Sequence, residues 1–196
     1  MINKEEVISF FDLWADRWDD NIIKDDDIIS KILDGAHVYE SADILDVACG
    51  TGVLIPYYLE RKVKTIDAID VSKRMIEIAE SKFKYDNLKF ILGDAETFDF
   101  KKKYDSIVIY NAFPHFADPE HLIKVLCEYL KDGGYLTVAH GMSREKLNMH
   151  HSGSASHISN MLLSANELAT IFSKCLRVTD EISNEKMYQV TGKKVR

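Results

Sequence analysis

The sequence predicts an α/β fold in which helices cover both faces of a doubly wound, mostly parallel sheet. From Asp43 onward, short apolar runs rich in β-branched residues alternate with longer segments of helical period, which is typical of βα units. The 196 residues are 46% hydrophobic and 10% aromatic, which suffices for one substantial core. No repeat or Gly/Ser/Pro-rich linker divides the chain. We therefore expect a single domain over residues 1–196, with a helical cap at 1–40 and the sheet-bearing core at 41–196.

Seven runs have the composition of strands. The last two are separated by Ser183, Asn184 and Glu185, residue types that favour a turn, so we expect them to form a hairpin. The seven predicted strands cover residues 44–47, 65–69, 88–92, 106–110, 135–139, 176–182 and 186–192.

Helices are expected between these runs. One begins after Gly52, a second covers 72–83 with Ser72 as its N-cap, a third covers 119–131 with Asp118 as its N-cap, and a fourth covers 164–174. The segment 141–163 is long for a connection, so we expect it to shape the specificity for a second substrate. Before Asp43 the period is helical only, over residues 7–18 and 22–33.

The net charge, the apolar runs and the cysteines argue against some classes of partner and some cellular locations. Lys and Arg number 25 against 32 Asp and Glu, a net charge of −7, which opposes binding to nucleic acid or to anionic membranes. The apolar runs are too short to span a bilayer, and the N-terminus lacks a secretory profile, so we expect a cytoplasmic protein. The three cysteines show no pattern of a disulfide framework or a zinc site.

A glycine-rich turn follows the first predicted strand, in the sequence Ala48-Cys49-Gly50-Thr51-Gly52. Two glycines there let a ligand approach the backbone. A dinucleotide fingerprint would have a third glycine where Ile55 stands, and the Gly-Lys-Ser/Thr ending of a P-loop is absent. Asp46, just before the turn, adds negative charge that a phosphate would not favour and a cationic ligand would tolerate. The turn therefore favours a cation.

Two further carboxylates follow the next two predicted strands. Asp70 ends the second strand, where a carboxylate can accept hydrogen bonds from both hydroxyls of a ribose. Asp94 follows the third strand in Leu92-Gly93-Asp94-Ala95. Because the carboxyl ends of parallel strands share one edge of the sheet, we expect Asp46, Asp70 and Asp94 to face one crevice at the switch point of the topology.

The segments ILDVACGTG, AIDVSKRMIEIAE, LGDAETF and YDSIVIYNAFPHF resemble the successive motifs of the class I S-adenosylmethionine-dependent methyltransferases over residues 44–140. The resemblance implies a Rossmann-like core with a reversed, antiparallel last strand, S-adenosylmethionine as cofactor and S-adenosylhomocysteine as product. It implies that the Gly50–Gly52 turn holds the methionine part, Asp70 the ribose and Asp94 the adenine amino group. The full cofactor set that it implies is Asp46, Ala48, Gly50, Gly52, Asp70, Val71, Met75, Asp94, Ala95 and Asn111.

Candidates for the acceptor side come from the histidines and from the N-terminal tryptophans. His115 lies four residues past Asn111, and we select it as the general base for an acceptor that carries a proton, such as a phenol. No histidine group has a familiar metal-ligand spacing, so no metal is expected. The candidate acceptor contacts are Trp14, Trp18, His115, His150, His151 and His157.

The function that these features predict is methyl transfer to a small-molecule acceptor through an oxygen, nitrogen or sulfur nucleophile. The sequence from Asn111 to Pro114 departs from the Asn-Pro-Pro-Tyr type of motif, which disfavours DNA N-methylation. One alternative is a non-catalytic S-adenosylmethionine-binding protein. A second, a nicotinamide-dependent oxidoreductase, is disfavoured by Ile55 and by the terminal hairpin. The oligomeric state is not encoded in any motif.

Overall fold

A computed structural model describes residues 2–21, 24–151 and 157–195, with the backbone only at 21, 150 and 151. Seven strands form one sheet in the order β3-β2-β1-β4-β5-β7-β6. The first five are parallel, and β7 pairs antiparallel with both β5 and β6. This confirms the predicted sheet and its reversed last strand. The strands are Asp43–Val47 (β1), Thr65–Asp70 (β2), Leu88–Leu92 (β3), Tyr104–Tyr110 (β4), Leu130–His140 (β5), Arg177–Ser183 (β6) and Tyr188–Lys193 (β7).

Seven α-helices lie in the described residues, and side-chain caps begin several of them. Ser72 Oγ accepts a hydrogen bond from Met75 N at 3.1 Å, and Asp118 Oδ1 accepts one from His121 N at 3.0 Å, as predicted. The helices are Lys4–Trp14 (α1), Asp26–Gly35 (α2), Ile55–Glu60 (α3), Lys73–Lys82 (α4), Pro119–Glu128 (α5), Arg144–His151 (α6) and Ala165–Phe172 (α7), with 3₁₀ turns at Ala15–Arg17, Asp19–Asn21 and Phe113–His115.

Apolar side chains cover both faces of the sheet, because successive strand residues point to opposite sides. In β1, Leu45 packs with α5 and α7, whereas Ile44 packs with α2 and α3. Helix α2 therefore covers a sheet face. The predicted division into a cap at 1–40 and a core at 41–196 stays a prediction, and residues 22 and 23 of the second predicted helix lie outside the described ranges.

The topology fixes where a ligand can bind. The chain moves outward from β1 to β2 and β3 on one side, then returns to place β4 on the other side of β1. At this switch point the loops after β1 and β4 diverge to opposite faces and leave a crevice at the carboxyl ends of the strands.

The largest boundary error lies between the third predicted helix and the fifth predicted strand. The third predicted helix ends at Glu128 rather than at residue 131, because Leu130 pairs with Tyr104 and begins β5. Gly133, with φ +80°, continues this strand past a register shift instead of ending a helix. The long connection after β5 contains α6. Within the described ranges, every helix is too short or too polar to cross a bilayer.

Candidate active site

A cavity of about 390 Å³ lies at the carboxyl ends of the parallel strands, beneath α1. Its volume falls in the range of small-molecule sites. Eight of the ten residues predicted to contact a cofactor line it, and the exceptions are Asp46 and Gly52. The eight are Ala48, Gly50, Asp70, Val71, Met75, Asp94, Ala95 and Asn111.

The glycine turn presents its backbone to this cavity. Ala48 and Gly50 adopt φ of +56° and +55°, and Cys49 N donates to Ile69 O at 3.1 Å, which fixes the turn to the next strand. A left-handed conformation at an alanine costs free energy that the surrounding contacts must offset, and such residues cluster at ligand sites.

Asp70 joins the glycine turn to the start of α4. Its Oδ2 accepts a hydrogen bond from Gly50 N at 2.8 Å, and its Oδ1 accepts one from Ser72 N at 2.9 Å. The residue is 8% exposed, and burial raises the pKa of the carboxyl group although these backbone donors oppose the shift. The carboxyl group therefore organises the turn and also borders the cavity.

Asp46 and Gly52 do not line the cavity, and their contact with a cofactor stays a prediction. Asp46 is buried beneath the turn, and burial together with the charge of Asp70 raises the pKa of its carboxyl group to about 8. At pH 7 the group is largely protonated, so the negative charge predicted there is mostly absent. A Cβ on Gly52 would lie 2.9 Å from Phe83 Cε2, so the missing side chain makes room for that ring.

Asp94 lines the cavity after β3. Its backbone carbonyl accepts hydrogen bonds from Thr97 N and Phe98 N, and its Oδ1 accepts one from Glu96 N at 3.0 Å. The Lys4 ammonium forms an ion pair with its Oδ2. Asp94 thus stabilises the turn after β3 and also forms an ion pair with Lys4 of α1.

The loop after β4 forms another wall. Asn111 has φ +55°, and its Oδ1 accepts a hydrogen bond from Gly141 N at 3.0 Å. His115 Nδ1 lies 3.0 Å from Ile158 O, and the ring meets Phe11 edge-on at 5.0 Å between centroids. Side chains other than carboxylates and ammonium groups make up much of the cavity lining: Phe11, Trp18, Tyr110, Asn111, His115, Phe116, Met142 and Leu147.

Residues 4–21, which we call the roof segment, cover the cavity through α1 and two 3₁₀ turns. Three of its aspartates attach it to the elements that form the site. Asp12 accepts a hydrogen bond from Ser72 Oγ at 2.5 Å, Asp16 pairs with Arg74 at 2.6 Å, and Asp19 accepts one from Thr51 Oγ1 at 2.5 Å. Asp19 also pairs with Lys82 at 2.7 Å. The roof segment is thus bound to the glycine turn and to α4.

The predicted acceptor contacts divide into two groups. Trp18 and His115 line the cavity. Trp14 is 44% exposed beside Phe10, and His157 is exposed, with its ring 6.3 Å from that of Phe10, so neither is part of the lining. The side chains of His150 and His151 lie outside the described part of the chain.

Several lining residues were not predicted. Phe11 and Val7 carried a usable signal, because their spacing of four places both on one face of α1. Tyr110, the last residue of β4, could have been found from its position at a strand end. Lys4, Met142 and Leu147 reach the cavity only through tertiary packing and gave no local signal.

Comparison with known proteins agrees with this geometry. Residues 44–134 match the family model described as "Methyltransferase domain". The chain is 38% identical over 95 residues to a malonyl-[acyl-carrier protein] O-methyltransferase of Acetivibrio thermocellus, covering 48% of this chain and 34% of that protein. It is 31% identical over 115 residues to ribosomal RNA small subunit methyltransferase A of Mesomycoplasma hyopneumoniae, covering 59% and 43%. The chain thus spans less than half the length of either relative.

The fold is shared with the N-methyltransferase NodS from Bradyrhizobium japonicum WM9, solved in complex with S-adenosyl-L-homocysteine. The TM-score is 0.76 at 16% identity, over 97% of this chain and 99% of that one. The matching family model, the sequence relatives and the fold agree with the motifs in residues 44–140. These findings support a methyltransferase domain of the class I S-adenosylmethionine-dependent type over residues 44–134, with S-adenosylmethionine as its cofactor.

Proposed function

We propose that this protein transfers a methyl group from S-adenosylmethionine to a small-molecule acceptor with an oxygen, nitrogen or sulfur nucleophile. The observation that carries the proposal is that two unlike sets of residues line one cavity. One set is the glycine turn with Asp70 and Asp94, and the other consists of aromatic and aliphatic side chains. The first set offers groups for a nucleoside with an amino acid tail, and the second offers an apolar surface for an acceptor.

The residues present fit the cofactor. Asp70 has each carboxylate oxygen already accepting one backbone N–H, and each retains a lone pair for a ribose hydroxyl. Asp94 can accept from the adenine amino group, and Met75 supplies a buried apolar surface for the ring. The roof segment adds Asp12 at the start of α4, close enough to act electrostatically on Asp70, which favours a positively charged ligand.

When bound, the cofactor supplies a methyl group that its sulfonium already activates. The protein therefore contributes mainly by placing the acceptor in line behind the methyl group and by excluding water. Phe11 and Trp18 close the cavity from above, and Asn111 holds its loop to Gly141 at the edge of the site. In this arrangement the roof segment and the loop after β4 bind the acceptor and orient it.

His115 is the proposed general base for acceptors that carry a proton at neutral pH. In the neutral ring, Nδ1–H donates to the carbonyl of Ile158, and the acceptor lone pair then lies on Nε2. That atom can take the proton of a phenol, an alcohol or a thiol as the carbon–oxygen or carbon–sulfur bond forms. An unprotonated amine needs no base before attack.

Two features support a small-molecule acceptor: the net charge of the chain and the apolar residues that line the cavity. The names of the relatives point to different acceptors, malonyl-[acyl-carrier protein] and ribosomal RNA. A net charge of −7 opposes RNA, because phosphate contacts supply most of the non-specific affinity for nucleic acid. These features favour a small, largely apolar acceptor.

Calorimetry of the purified protein with S-adenosylmethionine, S-adenosylhomocysteine and NAD tests the cofactor assignment. The first two should bind and NAD should not. Asp70→Ala should weaken binding by about 10- to 100-fold, since hydrogen bonds to a charged group contribute about 1.5–3 kcal/mol. Asp99→Ala, at an exposed carboxylate paired with Lys101, is the matched control. Binding of NAD alone, or equal affinities in both variants, would contradict the assignment.

A second experiment tests catalysis by incubating the loaded protein with phenols, thiols and amines. We expect turnover with at least one of these three classes of acceptor. His115→Ala should reduce transfer to a phenol while leaving S-adenosylhomocysteine affinity unchanged. Tight cofactor binding without turnover on any class would instead support a non-catalytic binding protein.

A further inference from the structure

Lys4 places a positive charge beside two carboxylates in the wall of the cavity. Its ammonium pairs with Asp94 Oδ2 and lies 3.4 Å from Glu96 Oε2. The Lys4 side chain is 50% exposed, whereas those of Asp94 and Glu96 are 17% and 11% exposed. All three residues line the cavity. A half-exposed cation therefore lies beside two mostly buried anions.

Both carboxylate oxygens of Asp94 already have donors. Oδ1 accepts from Glu96 N at 3.0 Å, and Oδ2 accepts from Lys4 Nζ. Each oxygen keeps one lone pair, so a ligand amino group that binds Asp94 Oδ2 lies next to the Lys4 ammonium and shares the carboxylate charge with it. Glu96 Oε2 lies 3.4 Å from Lys4 Nζ, so the ammonium keeps an ion-pair partner when a ligand weakens its contact with Asp94.

We propose that Lys4 is a specificity-determining residue that reads position 6 of the purine ring. The proposal rests on the proposed function, in which Asp94 meets the adenine amino group. A 6-amino group competes with Lys4 for Asp94 and moves the ammonium toward Glu96. A 6-oxo group cannot donate to Asp94, but it accepts a hydrogen bond from Lys4 in its present position. Lys4 therefore weakens binding of the adenine form and strengthens binding of the 6-oxo form.

The expected size of the effect follows from exposure. Half-exposed ion pairs contribute little because water screens them, so removing the competition should change each affinity by about two- to five-fold. The changes have opposite signs for the two purines. Their ratio is the decisive quantity, because loss of the roof segment's packing would change both affinities in the same direction.

The experiment compares wild type with Lys4→Met by calorimetry, using S-adenosylhomocysteine and its 6-oxo analogue S-inosylhomocysteine. Methionine keeps the apolar stem of the side chain and removes the ammonium. Lys101→Met is the matched control, because Lys101 pairs with Asp99 at an exposed site. We expect tighter binding of the adenine ligand and weaker binding of the 6-oxo ligand in Lys4→Met, and no change in Lys101→Met.

A ratio of affinities that is unchanged in Lys4→Met would overturn the inference and leave the cofactor assignment intact. Parallel weakening of both ligands would also overturn it and would identify Lys4 as an anchor of the roof segment. Absence of S-adenosylhomocysteine binding to the wild-type protein would overturn the proposed function and, with it, this inference.

Discussion

Replacing Asp46 with asparagine should stabilise the folded protein at neutral pH. Asp46 is 2% exposed beneath the glycine turn, and burial followed by the charge of Asp70 raises the pKa of its carboxyl group to about 8. Asparagine has nearly the same shape and, like a protonated carboxyl group, offers one donor side and one acceptor side. The variant therefore imitates the protonated form at every pH.

The magnitude follows from proton linkage. The ordinary pKa of the group is 3.8, so between about pH 4 and pH 8 the folded state holds a proton that the unfolded chain has released. The free energy of unfolding of the wild type therefore falls as pH rises through this window, by about 1.4 kcal/mol per pH unit. By pH 7 the accumulated loss is about 4 kcal/mol, which Asp46→Asn avoids.

Urea unfolding at pH 5, 6 and 7 and constant ionic strength measures the effect. The stability advantage of Asp46→Asn over wild type should grow with each step. Asp43→Asn is the matched control: although burial alone would raise the pKa of Asp43, hydrogen bonds from Lys131 and Thr65 lower it. Its contribution to stability is therefore lost only as pH falls below about 4, and its difference from wild type should stay flat from pH 5 to 7. Equally flat behaviour in Asp46→Asn would refute the reasoning.

Two other predictions concern the roof segment and the last strand. S-adenosylhomocysteine should change the tryptophan fluorescence of wild type and of Trp14→Phe but not of Trp18→Phe, because Trp18 lines the cavity and Trp14 does not; loss of the signal in Trp14→Phe alone would contradict this placement. Gly192→Ala should reduce the free energy of unfolding by about 1–3 kcal/mol in urea, because its Cβ would lie 2.8 Å from Phe172 Cδ1. An unchanged midpoint would show that α7 shifts to accommodate the methyl group.

The strands could be predicted because their composition is local. Residues 88–92 have the predicted bounds, and the other strands differ by a few residues at their ends, with one larger exception. The exception is β5, which begins at Leu130 instead of Tyr135. Its first half contains Asp132, Gly133 and Gly134, which are typical of a helix end. Tertiary pairing makes this segment part of the sheet: Leu130 pairs with β4, and Gly133 and Gly134 exchange hydrogen bonds with Lys194.

The candidate site was predictable where residues follow strands and not where distant elements meet. Asp70, Asp94 and Asn111 stand directly at or after strand ends, and a parallel sheet brings such positions together. The roof segment shows the opposite case. A continuous helix would place Trp14 and Trp18 on one face, but α1 ends at Trp14, whose φ of −93° and ψ of −8° begin a 3₁₀ turn. Only Trp18 then faces the cavity.

The position of β7 has a consequence for synthesis on the ribosome. Residues 188–193 form the strand that sits between β5 and β6, so the final strand of the chain occupies an interior place in the sheet. During translation, β5 emerges with its outer edge unpaired and keeps it so until those residues leave the exit tunnel. An unpaired, apolar strand edge is a template for aggregation. The nascent chain is therefore most vulnerable in the interval between the emergence of His140 from the exit tunnel and that of Lys193, when a chaperone that shields strand edges would have its greatest effect.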